Sequence, residues 1–264
     1  YHMHRAAHNE VSIVTISEVE LALREKYFPE LHPTIDELLR NVRILSDELK
    51  FLTFRQFKLD VSILNWYLAF GIGFTWLCGV GRYWDNPKAE LWQYLGLGSV
   101  LYIFILAFIL WLVILPLKPS NWRYKNVLLF VSLTAPPAIL YAIPVERFMP
   151  LKSAQLANVS FLAVVAIWRV ALLFKYLKSV AGLSGLCVLV ATLLPLTLIV
   201  ASLAALNLEH VVFKIMAGLE DHEKSANDTA YTILVLITYF SVLASPVLLS
   251  IYGWFMYKRR KNSH

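Results

Sequence analysis

Charged side chains are scarce over most of this sequence, and their scarcity sets its class. Only 16% of the 264 residues are Asp, Glu, Lys or Arg, and most of these lie in the first 60 positions or in short links. The rest of the chain holds several uncharged apolar runs of about 20 residues, the length of a helix that crosses a bilayer. A soluble domain would have to hide all of these runs in one core, so we expect a polytopic membrane protein.

Cysteine and the common catalytic motifs are also rare or missing. The two cysteines, Cys78 and Cys187, lie in apolar segments predicted to approach opposite membrane faces, which argues against a disulfide between them. No GxSxG, HExxH or P-loop motif occurs, and no paired carboxylates lie within the apolar runs. The sequence therefore predicts a non-enzymatic protein with no catalytic residue, no cofactor and no metal site.

The sequence also lacks a basic face of the kind that binds nucleic acid. The formal net charge is +6, but the lysines and arginines cluster at the ends of apolar segments, as membrane topology requires. The most basic run follows the last apolar segment, and the links after the second and fourth segments are basic too. This distribution predicts that both termini lie in the cytosol and that nucleic acid is not a partner.

The apolar runs predict an all-α transmembrane bundle. We expect about six membrane-spanning helices in residues 61–264, behind a cytosolic helical region in residues 1–60. An arrangement of about five spans with one re-entrant segment is also compatible with the pattern. In chain order the expected spans are residues 61–81, 91–117, 127–149, 154–178, 183–206 and 230–257.

The cytosolic region carries a heptad pattern. Thr34 and Glu37 follow Pro33 with the spacing of a capping box, which predicts the start of a helix. This pattern indicates either a helix for self-association or for a partner, or an amphipathic helix docked on the protein's own membrane domain or on the bilayer surface. The apolar a and d positions, called the seam below, are Ile35, Leu38, Val42, Leu45, Leu49 and Leu52.

The oddest residues within the apolar runs form a predicted polar cluster. Arg169 lies well inside one run, where its charge costs about 3 kcal/mol on insertion scales. Pro136 and Pro137 should leave the carbonyls of Ser132 and Leu133 unpaired at a similar depth. Arg169 therefore either donates to these groups or extends to the cytosolic headgroups. The expected cluster is Arg169, Ser132, Thr134, Pro136, Pro137 and Asn158.

Two further prolines, Pro195 and Pro246, are expected to break the last two spans. Broken helices can mark a transport site, and transmembrane prolines can also be ordinary kinks. The transport interpretation predicts a small transporter or channel with a polar cavity open to the cytosol. That cavity would be lined by Arg169, Ser132, Thr134, Thr192 and Ser245.

The second half of the chain resembles the bacterial branch of the Yip1-domain membrane proteins. The resemblance rests on NWRYKNVLLFVSLTAPPAILYAIP, a following span that contains Trp168, and KYLKSVAGLSGLCVLVATLLP. The matching positions are Pro136 and the Gly182-Leu183-Ser184 triplet. The resemblance implies a non-enzymatic role in membrane organisation, with no catalytic residue to carry over, and location in a bacterial inner membrane.

Taken together, these features predict a scaffold or accessory subunit of a membrane assembly. Its expected partners are the lipid bilayer and either other membrane protein subunits or a second copy of the chain. The competing prediction is the transporter or channel centred on Arg169.

Overall fold

The computed structural model describes residues 32–55, 61–84, 89–183, 185–206, 208 and 228–261. These residues are helical and include no strand, in agreement with the predicted all-α fold. The longer elements are α1 (His32–Leu52), α2 (Leu64–Tyr83), α3 (Leu91–Tyr94), α4 (Leu97–Ile114), α5 (Tyr124–Leu133), α6 (Leu151–Ser179), α7 (Leu186–Ala205) and α8 (Asp228–Lys261). Short 3-10 helices lie at Val61–Ile63, Leu115–Leu117, Pro136–Ala142 and Val145–Arg147.

The chain divides into two units between Leu49 and Lys50. Helix α1 therefore begins in the first unit and ends in the second. The division comes earlier than the boundary at residue 60 that the sequence predicts. Residues 56–60 lie outside the described part of the chain.

Four described helices are long and apolar enough to cross a membrane. They are Leu97–Leu117, Leu156–Ser179, Leu186–Ala205 and Val235–Lys261. A bent pair, Tyr124–Leu133 with Pro136–Ala142, raises the number to five if it counts as one span. The chain thus has the helices of a multi-pass membrane protein, with four to five candidate spans against the expected six.

The predicted first and second spans differ from the observed helices. Helix α2 is not among the four candidates, since Asn65, Arg82 and several glycines dilute its apolar character. The second expected span, 91–117, is interrupted after the single turn of α3. Gly96 adopts φ +65° there, a left-handed conformation that ends one helix before α4 begins.

Helices α7 and α8 each continue through a proline. Pro195 lies inside α7 and Pro246 inside α8, so the predicted breaks in the last two spans are wrong. Nearby hydroxyls bond to the helix backbone: Thr192 Oγ1 donates to the Val188 carbonyl at 2.8 Å and Ser245 Oγ to the Ser241 carbonyl at 2.6 Å. Such bonds are common in membrane helices that contain proline.

The core of the second unit lies between α4, α5, α6 and α7. The Phe130 ring stacks on the Tyr176 ring with centroids 4.3 Å apart, and the Phe51 ring meets Phe130 edge-on at 6.0 Å. The largest fully buried side chains in this core are Ile103, Ile114, Leu117, Val127, Leu172, Leu177, Leu183 and Val188. Aromatic pairs in these geometries add about 0.5–1.5 kcal/mol beyond the burial of their apolar area.

Glycine brings α2 and α5 into close contact. A Cβ atom added at Gly71 would lie 2.5 Å from Ser132 Oγ, a distance that real side chains do not tolerate. A Cβ at Gly81 would lie 2.9 Å from Ala142 Cβ. A Cβ at Gly79 would lie 2.7 Å from Ser99 Oγ, whereas Gly73 has nothing within 4 Å, so Gly71, Gly79 and Gly81 allow the close packing of α2 and Gly73 takes no part in it.

Candidate functional site

The candidate site is built at the break in the third predicted span. Helix α5 ends at Leu133, and the 3-10 helix Pro136–Ala142 continues at an angle of 43°. Proline lacks a backbone N–H and its ring clashes with the preceding helical turn, so consecutive prolines end an α-helix. The Pro136-Pro137 pair therefore explains why the apolar segment bends here.

In the turn between the two helices, the Ser132 carbonyl, which the sequence analysis expects to be unpaired, accepts a backbone hydrogen bond. The Ala135 N–H donates to the Ser132 carbonyl at 3.1 Å, and the Ala138 N–H donates to the Ala135 carbonyl at 2.8 Å. These are three-residue 3-10 bonds in place of four-residue α bonds. The expectation that the Ser132 carbonyl is unpaired is therefore wrong, because Ala135 takes the place of the N–H that Pro136 lacks.

Arg169 binds the next free carbonyl. Its Nε–H donates to the Thr134 carbonyl at 3.0 Å. In a 3-10 turn that carbonyl would accept from residue 137, which is proline, and the Ala138 N–H is already bonded to Ala135. The guanidinium therefore replaces a backbone donor that Pro137 cannot supply. Of the two expected positions for Arg169, the structure has the one bound to the backbone of residues 132–134.

The hydroxyls predicted to surround Arg169 bond to their own helix. Ser132 Oγ donates to the Leu129 carbonyl at 2.9 Å, and Thr134 Oγ1 donates to the Val131 carbonyl at 2.7 Å. Both side chains are buried. Thr134 thus contributes its carbonyl to the arginine and not its hydroxyl, while Ser132 packs against Gly71.

Asn158 lies too far along α6 to join the cluster. At 1.5 Å per residue it is about 16 Å from Arg169 along the helix axis, although both residues share a face. Val165 and Leu172, on that same face, are almost fully buried. The predicted face of α6 is therefore the one that packs, but its asparagine is not part of the arginine site.

Three residues that sequence reasoning did not include complete the site. Cys78 Sγ contacts the Ala135 carbonyl at 3.8 Å, and Tyr141 packs against the buried cluster that contains Cys78 and Ala138. The Arg82 guanidinium carbon lies 5.4 Å from the Tyr141 ring centroid, within cation–π range. We call Arg169, Thr134, Cys78, Tyr141 and Arg82 the arginine cluster.

The charge of Arg169 is stabilised by the dipole of a backbone carbonyl. In the described part of the chain the hydrogen-bond partner of Arg169 is a carbonyl, and no carboxylate pairs with it. The Thr134 carbonyl offers Arg169 a partial negative charge, and the π-face of Tyr141 offers one to Arg82. Among the described residues, no group of three His, Cys, Asp or Glu side chains could hold a metal ion.

A second candidate surface lies on α1. Four seam residues are about half exposed: Leu38 at 62%, Val42 at 58%, Leu45 at 51% and Leu49 at 56%. Ile44, Asp47 and Glu48 of the same helix are buried. The side chain of Ile35 lies outside the described residues.

The last turn of α1 belongs to the second unit and is anchored on α6. The Leu52 side chain packs partly against the core, and the Leu52 carbonyl accepts a hydrogen bond from Trp168 Nε1 at 3.0 Å. The Phe54 ring stacks on the Trp168 indole with centroids 6.4 Å apart, and Lys175 Nζ donates to the Phe54 carbonyl. These contacts hold the end of α1 against α6 within the second unit.

Glu48 has an unusual environment near the end of the first unit. Its side chain is 3% exposed, and neither carboxylate oxygen has a hydrogen-bond partner in the described part of the chain. Burial disfavours the charged form and raises the pKa of Glu48 to about 8. The carboxyl is therefore protonated in the folded protein at neutral pH.

Comparison of the chain with protein-family models, with curated proteins and with solved structures finds no match. The resemblance to Yip1-domain proteins, which includes Pro136 and the Gly182-Leu183-Ser184 triplet, therefore stays a prediction. Ser184 lies outside the described residues. The function has to be argued from the arginine cluster and from the exposed seam.

Proposed function

We propose that this chain is a non-enzymatic, multi-pass membrane protein that serves as a scaffold or accessory subunit of a membrane assembly. The proposal includes six spans, both termini in the cytosol and, through the Yip1-like resemblance, a bacterial inner membrane. The bilayer surrounds the spans, and α1 binds another protein subunit or a second copy on the cytosolic side.

The observation that carries this proposal is the exposed seam. Leu38, Val42, Leu45 and Leu49 form an exposed apolar stripe on α1, a helix that the proposal places in the cytosol because it carries seven charged residues. Apolar side chains on a lipid-facing helix need no protein partner, but a stripe of this kind on a helix outside the membrane marks an interaction site.

The arginine cluster supports the same proposal against a transporter. The Nε–H of Arg169 is bonded to the Thr134 carbonyl, and the Ser132, Thr134, Thr192 and Ser245 hydroxyls all donate to carbonyls of their own helices. A solute site needs polar groups that are free to bind the solute. In this protein those groups support the backbone around the prolines.

The experiment replaces Val42, Leu45 and Leu49 together with Ser and purifies the protein in a mild detergent. We expect the variant to keep its melting temperature and to lose whatever polypeptide binds the wild type in constant stoichiometry. A matched control changes Glu37 to Ser on an exposed, non-seam position of the same helix. Unfolding of the triple variant would show that the seam is internal packing and would contradict the proposal.

Topology is tested separately by labelling single cysteines. We expect positions 125 and 261 to react only with reagent on the cytosolic side and position 224 only with reagent on the opposite side. Labelling of position 224 from the cytosol would contradict the six-span arrangement.

A further inference from the structure

Basic side chains gather at one end of the second unit. They come from the loop after α4, the start of α5, the end of α6 and the end of α8. The segments that supply them, residues 91–145, 147–208 and 229–264, contain no Asp or Glu. We call the following nine residues the basic end: Lys118, Arg123, Lys125, Lys175, Lys178, Lys258, Arg259, Arg260 and Lys261.

Backbone contacts bring the loop after α4 against the ends of α6 and α8. The Arg259 guanidinium donates to the Leu117 carbonyl and, at 3.5 Å, to the Lys118 carbonyl. The Ser120 N–H donates at 2.9 Å to the carbonyl of Ala181, in the turn that follows α6. This loop therefore lies between the last turns of the two helices and brings their lysines and arginines to the same end of the unit.

The start of α5 lies at this end too. Tyr176 Oη, near the end of α6, donates to the Asn126 carbonyl at 3.5 Å. Cations of one sign that are held close together repel each other and concentrate anions around them. The exposed members of the basic end are Lys118, Arg123, Lys125, Lys178, Lys258, Arg260 and Lys261.

Aromatic side chains place the basic end at the level of lipid headgroups. Trp122 Nε1 donates to the Trp111 carbonyl at 3.1 Å, and the Trp111 indole meets the Tyr124 ring edge-on with centroids 6.2 Å apart. Lys258 Nζ lies 5.2 Å from the centroid of the Trp254 ring. Trp and Tyr are enriched where a membrane meets water, so these cations lie at the depth of phospholipid phosphates.

An apolar surface continues from these cations towards the membrane interior. Leu112 and Leu115 precede Lys118 by six and three residues, and they are 52% and 40% exposed. Both belong to the candidate span Leu97–Leu117, so acyl chains can cover them. A phospholipid has the same order of groups, an anionic phosphate followed by apolar chains, whereas a free phosphate ion would use the cations alone. The surface therefore favours a lipid.

We propose that the basic end binds the headgroup phosphate of an anionic phospholipid, between the loop after α4 and the end of α8. Arg259 holds these two segments together, and the exposed cations beside it, Lys118 and Arg260 among them, attract the phosphate. The inference goes beyond the proposed function because it needs no protein partner. It rests on the proposed topology only for the leaflet, since cytosolic termini place this end at the anionic cytosolic leaflet.

The test is native mass spectrometry of the delipidated, full-length protein in a mild detergent, with added phosphatidylglycerol or phosphatidylcholine of the same acyl chains. Both lipids carry a phosphate, but the choline group cancels its charge. We expect phosphatidylglycerol to bind more tightly. Lys118→Gln and Arg260→Gln should each weaken its binding about fivefold, which is the contribution of one basic residue near an anionic membrane surface.

The matched control is Arg147→Gln. Arg147 follows the 3-10 helix Pro136–Ala142, at the opposite end of the bent pair from the start of α5, and its guanidinium carbon lies 5.0 Å from the Trp84 ring centroid. This variant removes one exposed cation and should leave lipid binding unchanged. Salt gives a second measurement that needs no variant, because added KCl should weaken the binding of phosphatidylglycerol and not that of phosphatidylcholine.

A preference for phosphatidylglycerol that falls in Lys118→Gln and Arg260→Gln, and persists in Arg147→Gln, supports the proposal. Equal affinity for the two lipids, or equal losses in all three variants, overturns it. Inorganic phosphate that displaces phosphatidylglycerol at an equal concentration would overturn it in favour of a free anion.

These results are distinct from the test of the proposed function. A protein that prefers phosphatidylglycerol and binds no other polypeptide keeps this inference and contradicts the proposed function. Equal binding of both lipids, with a polypeptide bound through the seam in constant stoichiometry, does the reverse.

Discussion

The break after Leu133 and the helix α1 differ in whether their unusual residues have partners within the chain. At the break, a costly arginine and a carbonyl deprived of its partner by proline meet each other inside the chain. On α1, apolar side chains stay exposed while Ile44, Asp47 and Glu48 of the same helix are buried. Residues whose hydrogen bonds are made within the chain serve stability, and in the proposed function the exposed apolar residues bind a partner.

This comparison makes a general prediction about mutations. Substitutions in the arginine cluster should lower the free energy of unfolding and leave association unchanged. Seam substitutions should change association and leave stability unchanged. The following predictions test the stability half of this contrast, from the largest expected effect to the smallest.

The largest effect is expected at Arg169. Replacement by Leu leaves the Thr134 carbonyl without a donor in an apolar environment, and hydrogen bonds to charged groups contribute about 1.5–3 kcal/mol. We expect a loss of that size in stability in detergent, measured by thermal unfolding, although leucine suits lipid better. Arg169→Lys should recover only part of it, because its ammonium lacks the planar fork of the guanidinium.

The reverse result would be informative. If Arg169→Leu is as stable as the wild type and instead alters the flux of a solute in vesicles, the arginine serves transport. The claim that the arginine cluster serves stability would then be contradicted.

A second test concerns the contact between α2 and α5. Gly71→Ala places a methyl group 2.5 Å from Ser132 Oγ, so the helices must separate. We expect a loss of about 1–3 kcal/mol, as for other overpacked sites. Gly73→Ala is the matched control on the same helix, since nothing lies within 4 Å of its added Cβ, and it should be neutral or stabilising by up to about 1 kcal/mol. Equal losses for both variants would argue against the close approach.

The sequence predicted the break and its arginine because proline chemistry is local. It assigned the wrong carbonyl because it assumed α-helical register, where Pro136 frees Ser132. The turn is 3-10, so Ala135 bonds to Ser132, and Pro137 leaves the carbonyl of Thr134 for Arg169. The choice between the two registers depends on packing around the bend, which spacing along the chain does not contain.

Other parts of the site depend on contacts between distant segments. Cys78 and Tyr141 lie together beside the bend only because α2 packs against the 3-10 helix, where Gly81 meets Ala142. Gly96 gave a visible signal, since glycine favours positive φ, yet its apolar neighbours suggested a continuous span. The heptad pattern located the seam, but which face of α1 is buried could be seen only in the folded chain.

A smaller effect, dependent on pH, is expected from Glu48. Its pKa is raised from 4.5 to about 8 by burial, so the folded state holds its proton more tightly than the unfolded state. Stability from this group is complete below pH 4.5 and is lost as the pH rises towards 8. The melting temperature of the wild type should therefore fall as the pH rises through this range.

Glu48→Gln removes this titration and keeps the shape of the side chain. We expect the variant to match the wild type near pH 5 and to melt at a higher temperature near pH 9, a difference in which the histidines shared by both proteins cancel. A constant difference across this range would show that Glu48 does not take up a proton on folding.

The smallest effect is expected where the seam helix joins the membrane unit. Trp168→Phe keeps an aromatic ring to stack on Phe54 but removes the Nε1–H that donates to the Leu52 carbonyl at 3.0 Å. One neutral hydrogen bond contributes about 1 kcal/mol, so the melting temperature should fall slightly. The amount of polypeptide that co-purifies with the protein should be unchanged if the seam alone binds it. A large loss of that polypeptide with little change in melting temperature would show that the Trp168 contacts also contribute to association, and the contrast between a stabilising interior and an associating surface would then not hold at this position.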